Sequence, residues 1–308
     1  MEDIQNAIAD ELDKKTQFDE QCKHILSDSQ ILAYIIKCCV KECHNISMKN
    51  LTEYFKKHPA ITDKEDTSIS GTKIIYDIFV TVDSSILDDN NVGLIINIEP
   101  QKSRYLPYHL ERRAIHNNSR LISQQKGIDF IKSNYNDLKK VYSIWIVYKH
   151  ARIDDGVIGT ISYEYKETGR KVKGISKKKL KQMSEKIKRI KNDIDLSDII
   201  LIYPCVEYQE EDESISNFFS LLFTDSKTPN EKKLLIENKY GIMMTEKKLE
   251  EVDNMCNMSA YVEDRARLKD ARIIMETLSL TIDQALDALK IDESDRPWFI
   301  DYLEDDED

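Results

Sequence analysis

Apolar residues at Ile31, Leu32, Ile35, Ile36 and Cys39 recur at helical spacing, so the stretch FDEQCKHILSDSQILAYIIKCCVKEC predicts a helix. SMKNLTEYFKKH predicts a second, stopped by Pro59, and the polar run TDKEDTSISG reads as a loop. The period then changes. KIIYDIFVTV and VGLIINIEP are short, β-branched and aromatic, with the polar DSSILDDNN between them, which predicts paired strands. PYHLERRAIHNNSRLISQQKG follows as a helix with proline near its start and Gly127 at its end. GIDFIKSNYNDLKK predicts a further short helix. VYSIWIVY reads as a strand buried on both faces, TISYEYKE as a fourth and DLSDIILIYPCVEY as another buried one. Beyond it, ISNFFSLLFTD, NEKKLLIENKYG, a long segment from Thr245 to about Leu278, and SLTIDQALDALKI with a Thr281/Gln284 capping box are helical. The pattern predicts an α/β fold, a mixed central sheet flanked by helices, over 1–210, and a helical C-terminal extension over 211–308.

Strand parity decides which polar groups meet. Asp77 shares a face with Ile75 and Phe79, while Glu99 and Gln101 share one with Ile95 and Asn97, and Lys102 points the other way. Each strand thus carries a carboxylate among apolar neighbours, and a buried charge needs a compensating cation. Adjacent strands would let Asp77 and Glu99 form an oxygen-rich site for Mg²⁺ or Mn²⁺, which lowers the pKa of bound water and stabilises charge on a phosphate. The competing reading is a pair of structural hydrogen-bonding carboxylates at strand ends. On the next helix, His109, Arg113, His116, Arg120 and Gln124 recur at three- and four-residue steps as a polar face. Its arginines are candidate phosphate ligands. Leu110, Ala114 and Leu121 mark the inward face.

The net charge of −11 argues against wholesale adhesion to nucleic acid, but it conceals an asymmetry. Between Lys166 and Lys191 twelve Lys/Arg face only Glu167 and Glu185, a local +10 that leaves −21 for the remainder. Lys177, Lys178 and Lys179 in this stretch are candidates for tracking a DNA backbone. No apolar run approaches the roughly 20 residues of a membrane span. The acidic first residues lack a secretory pattern, which predicts a cytoplasmic protein. Six cysteines are too few for a disulfide framework; Cys39, Cys43 and His44 lack a CxxC partner and read as an apolar helix with buried thiols rather than a zinc site. Met255, Met258, Ile273, Ile274 and Leu278 suit a packed helix seam, and LEDDED reads as a solvated tail.

A carboxylate on one strand, Glu-x-Gln on the next and then an arginine-bearing helix resemble the PD-(D/E)XK nuclease superfamily. Within it, the chain is most similar to the recombination-promoting nuclease, or PD-(D/E)XK family transposase, group. The stretches that carry the resemblance are FDEQCKHILSDSQILAYIIK, GTKIIYDIFVTV, LIINIEPQK, YHLERRAIHNNSRLISQQKG, YSIWIVY, FFSLLFTD, EVDNMCNMS and TIDQALDALKI, which span nearly the whole chain in order. The resemblance implies a restriction-endonuclease-like sheet and a Mg²⁺- or Mn²⁺-dependent DNA endonuclease of mobile-element, recombination or defence settings. It places Asp77 and Glu99 as metal carboxylates, with the Pro100 backbone carbonyl as a further ligand and Glu42, then Glu53, as third acid. Gln101 falls where the superfamily has lysine. Its amide orients water or phosphate but supplies neither base nor charge; Lys102 is a candidate phosphate ligand that would supply the charge, although its strand parity argues against it. Aromatic residues common in relatives are replaced by His116 and Asn117. The alternative is a non-catalytic nuclease scaffold that binds DNA or a protein partner, with the C-terminal helices serving partner contact or self-association. No DNA-reading motif supports strand transfer at defined ends.

Overall fold

The computed structural model describes residues 19–67, 73–87, 93–168, 176–223, 227–258 and 260–304, with side chains outside 255–262. The side chains of Met255, Cys256 and Met258, part of the basic stretch (169–175) and the tail 305–308 therefore lie outside the described residues.

Six strands form one mixed sheet: β1 (Ile61–Asp66), β2 (Ile74–Val82), β3 (Leu94–Ser103), β4 (Lys140–Lys149), β5 (Ile158–Ser162) and β6 (Ser197–Ile202). Their order is β1-β2-β3-β4-β6-β5. β3, β4 and β6 run parallel, and β1, β2 and β5 join antiparallel on either side. All ten residues of β4 are buried, as its unbroken apolar run predicts for a strand covered on both faces.

Helices cover both faces. The described part of α1 spans residues 19–26, followed by α2 (Ser29–Cys39), α3 (Met48–Lys57), α4 (Leu110–Ser123) and α5 (Lys177–Asp193). The C-terminal part consists of α6 (Ile215–Phe223), α7 (Pro229–Tyr240), α8 (Glu246–Met258), α9 (Ala260–Leu278), α10 (Ile282–Ala288) and α11 (Arg296–Leu303). The Thr281/Gln284 capping box closes as the sequence predicts, and Thr228 with Glu231 forms another.

On one face Ile78, Val80, Leu94, Ile96, Ile98, Tyr142 and Ile144 join α1–α3 and the C-terminal helices in a single apolar cluster. That cluster runs from Cys22 to Leu303 and includes Phe218, Val252, Leu268, Trp298 and Phe299, so the residues beyond 210 share the core of the sheet. On the other face, among the described residues, α4 is the helix that packs: Leu110 and Ala114 against Trp145 and Val147, and Leu121 against Tyr76, Phe79, Ile95 and Val141.

Several elements differ from expectation: the first predicted helix is broken at Ser27 and Asp28 into α1 and α2, and the strand expected over TISYEYKE ends at Ser162. TDKED is an edge strand, not a loop; its residues are exposed except at Lys64 and Asp66, so the main-chain ladder with β2 holds it without an apolar pattern. GIDFIKSNYNDLKK contains only a 3₁₀ turn at Tyr135–Asp137. Ile128 and Ile131 are exposed there, and the Gln125 amide ties the loop by accepting from Lys139 N and donating to Lys139 O. Without a face to bury, a short helix has nothing to stabilise it. Finally, Ile273 and Leu278 are exposed; α9 turns Leu268 and Ala271 inward instead.

The polar face of α4 also needs correction. Arg120 is 5% exposed and not available to a phosphate, because Nε and Nη2 both bind Asp66 Oδ2, at 3.0 and 2.9 Å. This pair clamps α4 to the edge strand β1. Removing one partner of a buried ion pair strands the other charge. Arg120→Ala should therefore lower the unfolding free energy by about 3–5 kcal/mol, measured by urea denaturation, while replacing both residues by apolar ones should cost much less.

Candidate metal centre

Extending the β2–β3 register by one pair beyond Ile78↔Ile98 sets Asp77 opposite Glu99. The two carboxyl groups are thereby near enough for the charge of Asp77 to raise the pKa of Glu99. The alternation along β2 is not strict here. Tyr76 and Phe79, three residues apart, lie in one cluster beneath α4. Opposite them the β1–β2 ladder lacks a pair between Thr62↔Ile78 and Lys64↔Tyr76, where Asp63 adopts a left-handed φ of 52°. The register is the same on both sides of the missing pair, so it sets Asp63 opposite Asp77 on the neighbouring strand.

Glu99 is 2% exposed. Burial, then the charge of Asp77, push its carboxyl up to about 8, while a hydrogen bond from Asn97 and the charge of Arg113 oppose them. Asn97 Nδ2 donates to Glu99 Oε1 at 2.7 Å, and Asn97 Oδ1 is buried with no partner. An orphaned oxygen beside two carboxylates is an all-oxygen donor set suited to a hard divalent cation, so the residues fit Mg²⁺ or Mn²⁺. Pro100 follows in β3 opposite Ile146. Among the described residues no group of three His, Cys, Asp or Glu side chains could hold a metal, so water and phosphate oxygens would have to complete the shell.

Lys23, a residue the sequence reading passed over, reaches this pair from α1. Cys22, Ile25 and Leu26 anchor that helix in the core, and Cys22 Sγ lies 3.1 Å from Tyr148 Oη. Lys23 Nζ then stands 2.5 Å from Asp63 Oδ1 and 3.0 Å from Asp77 Oδ1. Burial pulls its ammonium pKa down, but hydrogen bonds to Asp63 and Asp77 outweigh that and raise it. The apolar spacing of α1 was readable in the sequence. The place where it delivers Lys23 depends on tertiary packing.

Gln101 is bonded at both ends of its amide. Its Oε1 accepts from Arg113 Nη1 at 3.2 Å and its Nε2 donates to Ser103 O at 3.0 Å. Arg113 also donates to Tyr108 Oη at 3.3 Å and lies over the Trp145 ring, 5.3 Å from its centroid. Of the two predicted arginines, only Arg113 stands at the pair. Lys102 acts on Asp264 of α9, in agreement with its opposite parity.

Glu42 is not the third acid. It follows the end of α2 in a 3₁₀ turn, accepts from Tyr142 Oη at 2.5 Å and pairs with Lys140 at 3.5 Å. Lys140 stands opposite Leu94, five residues before Glu99 on β3; that is roughly 16 Å along a strand. Glu53 is exposed and paired with Lys56. Lys177, Lys178 and Lys179 begin α5, none of whose residues is buried. The far end of α5 leads through Ile194 into the start of β6, at the opposite end of the parallel strands from Glu99.

The raised Glu99 pKa has a definite sign in stability. Below the ordinary carboxylate range both folded and unfolded chains are protonated. Above it the unfolded chain releases its proton while the fold retains it to about 8, so folding stability is lost as pH rises through that window. In EDTA, Glu99→Gln should be more stable than the parent above pH 8, by on the order of a few kcal/mol. The difference should vanish toward pH 5 in urea titrations.

No family model, curated protein or solved structure matches this chain.

Proposed function

We propose that the chain is a Mg²⁺- or Mn²⁺-dependent DNA endonuclease with a restriction-endonuclease-like core, hydrolysing phosphodiester bonds at Asp77 and Glu99. The observation that carries this reading is the register that sets half-buried Asp77 opposite buried Glu99, with the orphaned Asn97 oxygen beside Glu99. A bound divalent ion supplies charge for phosphate and an acidified water there. The chain's own groups do the rest. Asp77, Glu99 and Asn97 present oxygens from two strands, and Arg113 offers a guanidinium with donors suited to a phosphate oxygen. Gln101 and Trp145 hold that guanidinium in place, so Gln101 acts as a positioning residue while its amide remains so engaged. α5, with eight Lys/Arg among seventeen residues, is suited to neutralise a DNA backbone away from the cut.

The second reading, a non-catalytic nuclease scaffold, is favoured by the ammonium of Lys23 already neutralising Asp77. Titration with Mn²⁺ separates the two: the enzyme must bind the ion, and Glu99→Gln must lose it.

Purified protein should nick supercoiled plasmid with Mg²⁺ and not with EDTA. Asp77→Ala and Glu99→Ala should each fold and lose on the order of a thousandfold or more in rate, as removal of several kcal/mol of charge stabilisation implies. Undiminished cutting by either variant would sink the mechanism. In DNA-binding assays, reversing Lys177, Lys178 and Lys179 to Glu should weaken affinity for all sequences alike. It should also flatten the salt dependence by about one unit of slope per lysine lost.

A further inference from the structure

We infer that Lys23 is the resident cation of this centre: its ammonium holds Asp77 while no metal is bound, and yields Asp77 to a divalent ion while keeping Asp63. This rests on the metal-site reading above and adds what governs entry to the site.

A buried Glu99 opposite a half-buried Asp77 disfavours ionisation of both unless positive charge stands nearby. The structure supplies that charge on a short, defined tether. Lys23 is held by a helix whose Cys22, Ile25 and Leu26 are 0–2% exposed, and its own side chain is only 17% exposed. An ammonium 3.0 Å from Asp77 Oδ1 occupies one of the directions from which a cation must approach that oxygen. Metal–oxygen bonds of roughly 2.0–2.6 Å leave no room for both on the same lone pair. An ion that takes that lone pair therefore displaces the ammonium from it.

Asp63 gives it somewhere to remain. The left-handed backbone at Asp63, a conformation that aspartate tolerates better than most residues, lies at the missing pair of the β1–β2 ladder and presents its carboxylate 2.5 Å from the same nitrogen. Lys23 has three donors and two acidic partners, so surrendering one does not strand its charge. The exchange replaces one ion contact by another and needs no rearrangement of α1. Lys23 then stays beside the occupied site as a fixed positive charge, which position 101 does not provide.

Calorimetric titration of Mn²⁺ into DNA-free protein tests the exchange without reference to activity. Lys23→Met removes the competitor and should bind Mn²⁺ about tenfold more tightly than the parent. Lys23→Gln carries the same prediction with a polar stem, and Lys23→Arg, which retains the charge, should remain near the parent. Asp63→Asn leaves the ammonium to Asp77 alone and should weaken binding several-fold, with that loss at least halved in the Lys23→Met background. Equal or weaker binding by both Lys23→Met and Lys23→Gln, with the parent still binding, overturns the role of Lys23 and leaves the metal centre intact. If neither the parent nor any variant binds Mn²⁺, the metal centre itself fails and the exchange with it.

Discussion

Two carboxyl groups held in contact inside a protein repel one another in a medium that screens poorly, and everything around Asp77 and Glu99 answers that constraint. Asn97 donates to one carboxylate, Lys23 to the other, and Arg113 contributes charge from the opposite helix. These groups come from α1, β3 and α4, elements far apart in the chain. No neighbouring pair of residues could provide the arrangement, and a fold that brings three distant segments to one point has spent stability there. Glu99, whose carboxyl pKa is pushed up by burial and by the charge of Asp77, bears that cost.

The stability is recovered elsewhere, through rigid anchoring of the contributing elements. α4 is fixed by the Arg120–Asp66 pair and by packing against β4; α1 is fixed by Cys22, Ile25 and Leu26. The C-terminal helices reach the same end of the sheet through Lys149, which is 1% exposed and paired with Asp264 and Asp295. Tyr105 and Arg152 N meet Asp301 nearby. The helices beyond residue 210 are thereby tied to the strand ends that carry Glu99 and Gln101. They are built into the same body as the candidate centre.

Much of the architecture was legible in the sequence, because the strands β2, β3, β4 and β6 and the helix α4 are written in strong periodic patterns. So was the adjacency of the strands that carry Asp77 and Glu99, since both are apolar, β-branched and joined by a polar turn. What periodicity could not show falls into two kinds. β1 carries charge where a strand is expected to alternate, because an exposed edge is held by main-chain bonds and demands little of its side chains. Lys23, Asp63 and the true partner of Arg120 depend on tertiary placement, and a helical wheel cannot tell a solvated arginine from one clamped in an interior pair. Asn97 shared a face with Glu99 by simple counting; its significance emerged only with its unpartnered oxygen.

The margins of the sheet carry a further consequence. β1 bears Asp63, Lys64 and Glu65 and breaks its ladder at Asp63, while β5 is only five residues long. A passing strand from another molecule would find at one side a kinked, charged template and at the other a very short one. Recruitment by strand addition is thereby discouraged, and the left-handed residue beside the acidic centre also helps guard the molecule against fibrous growth.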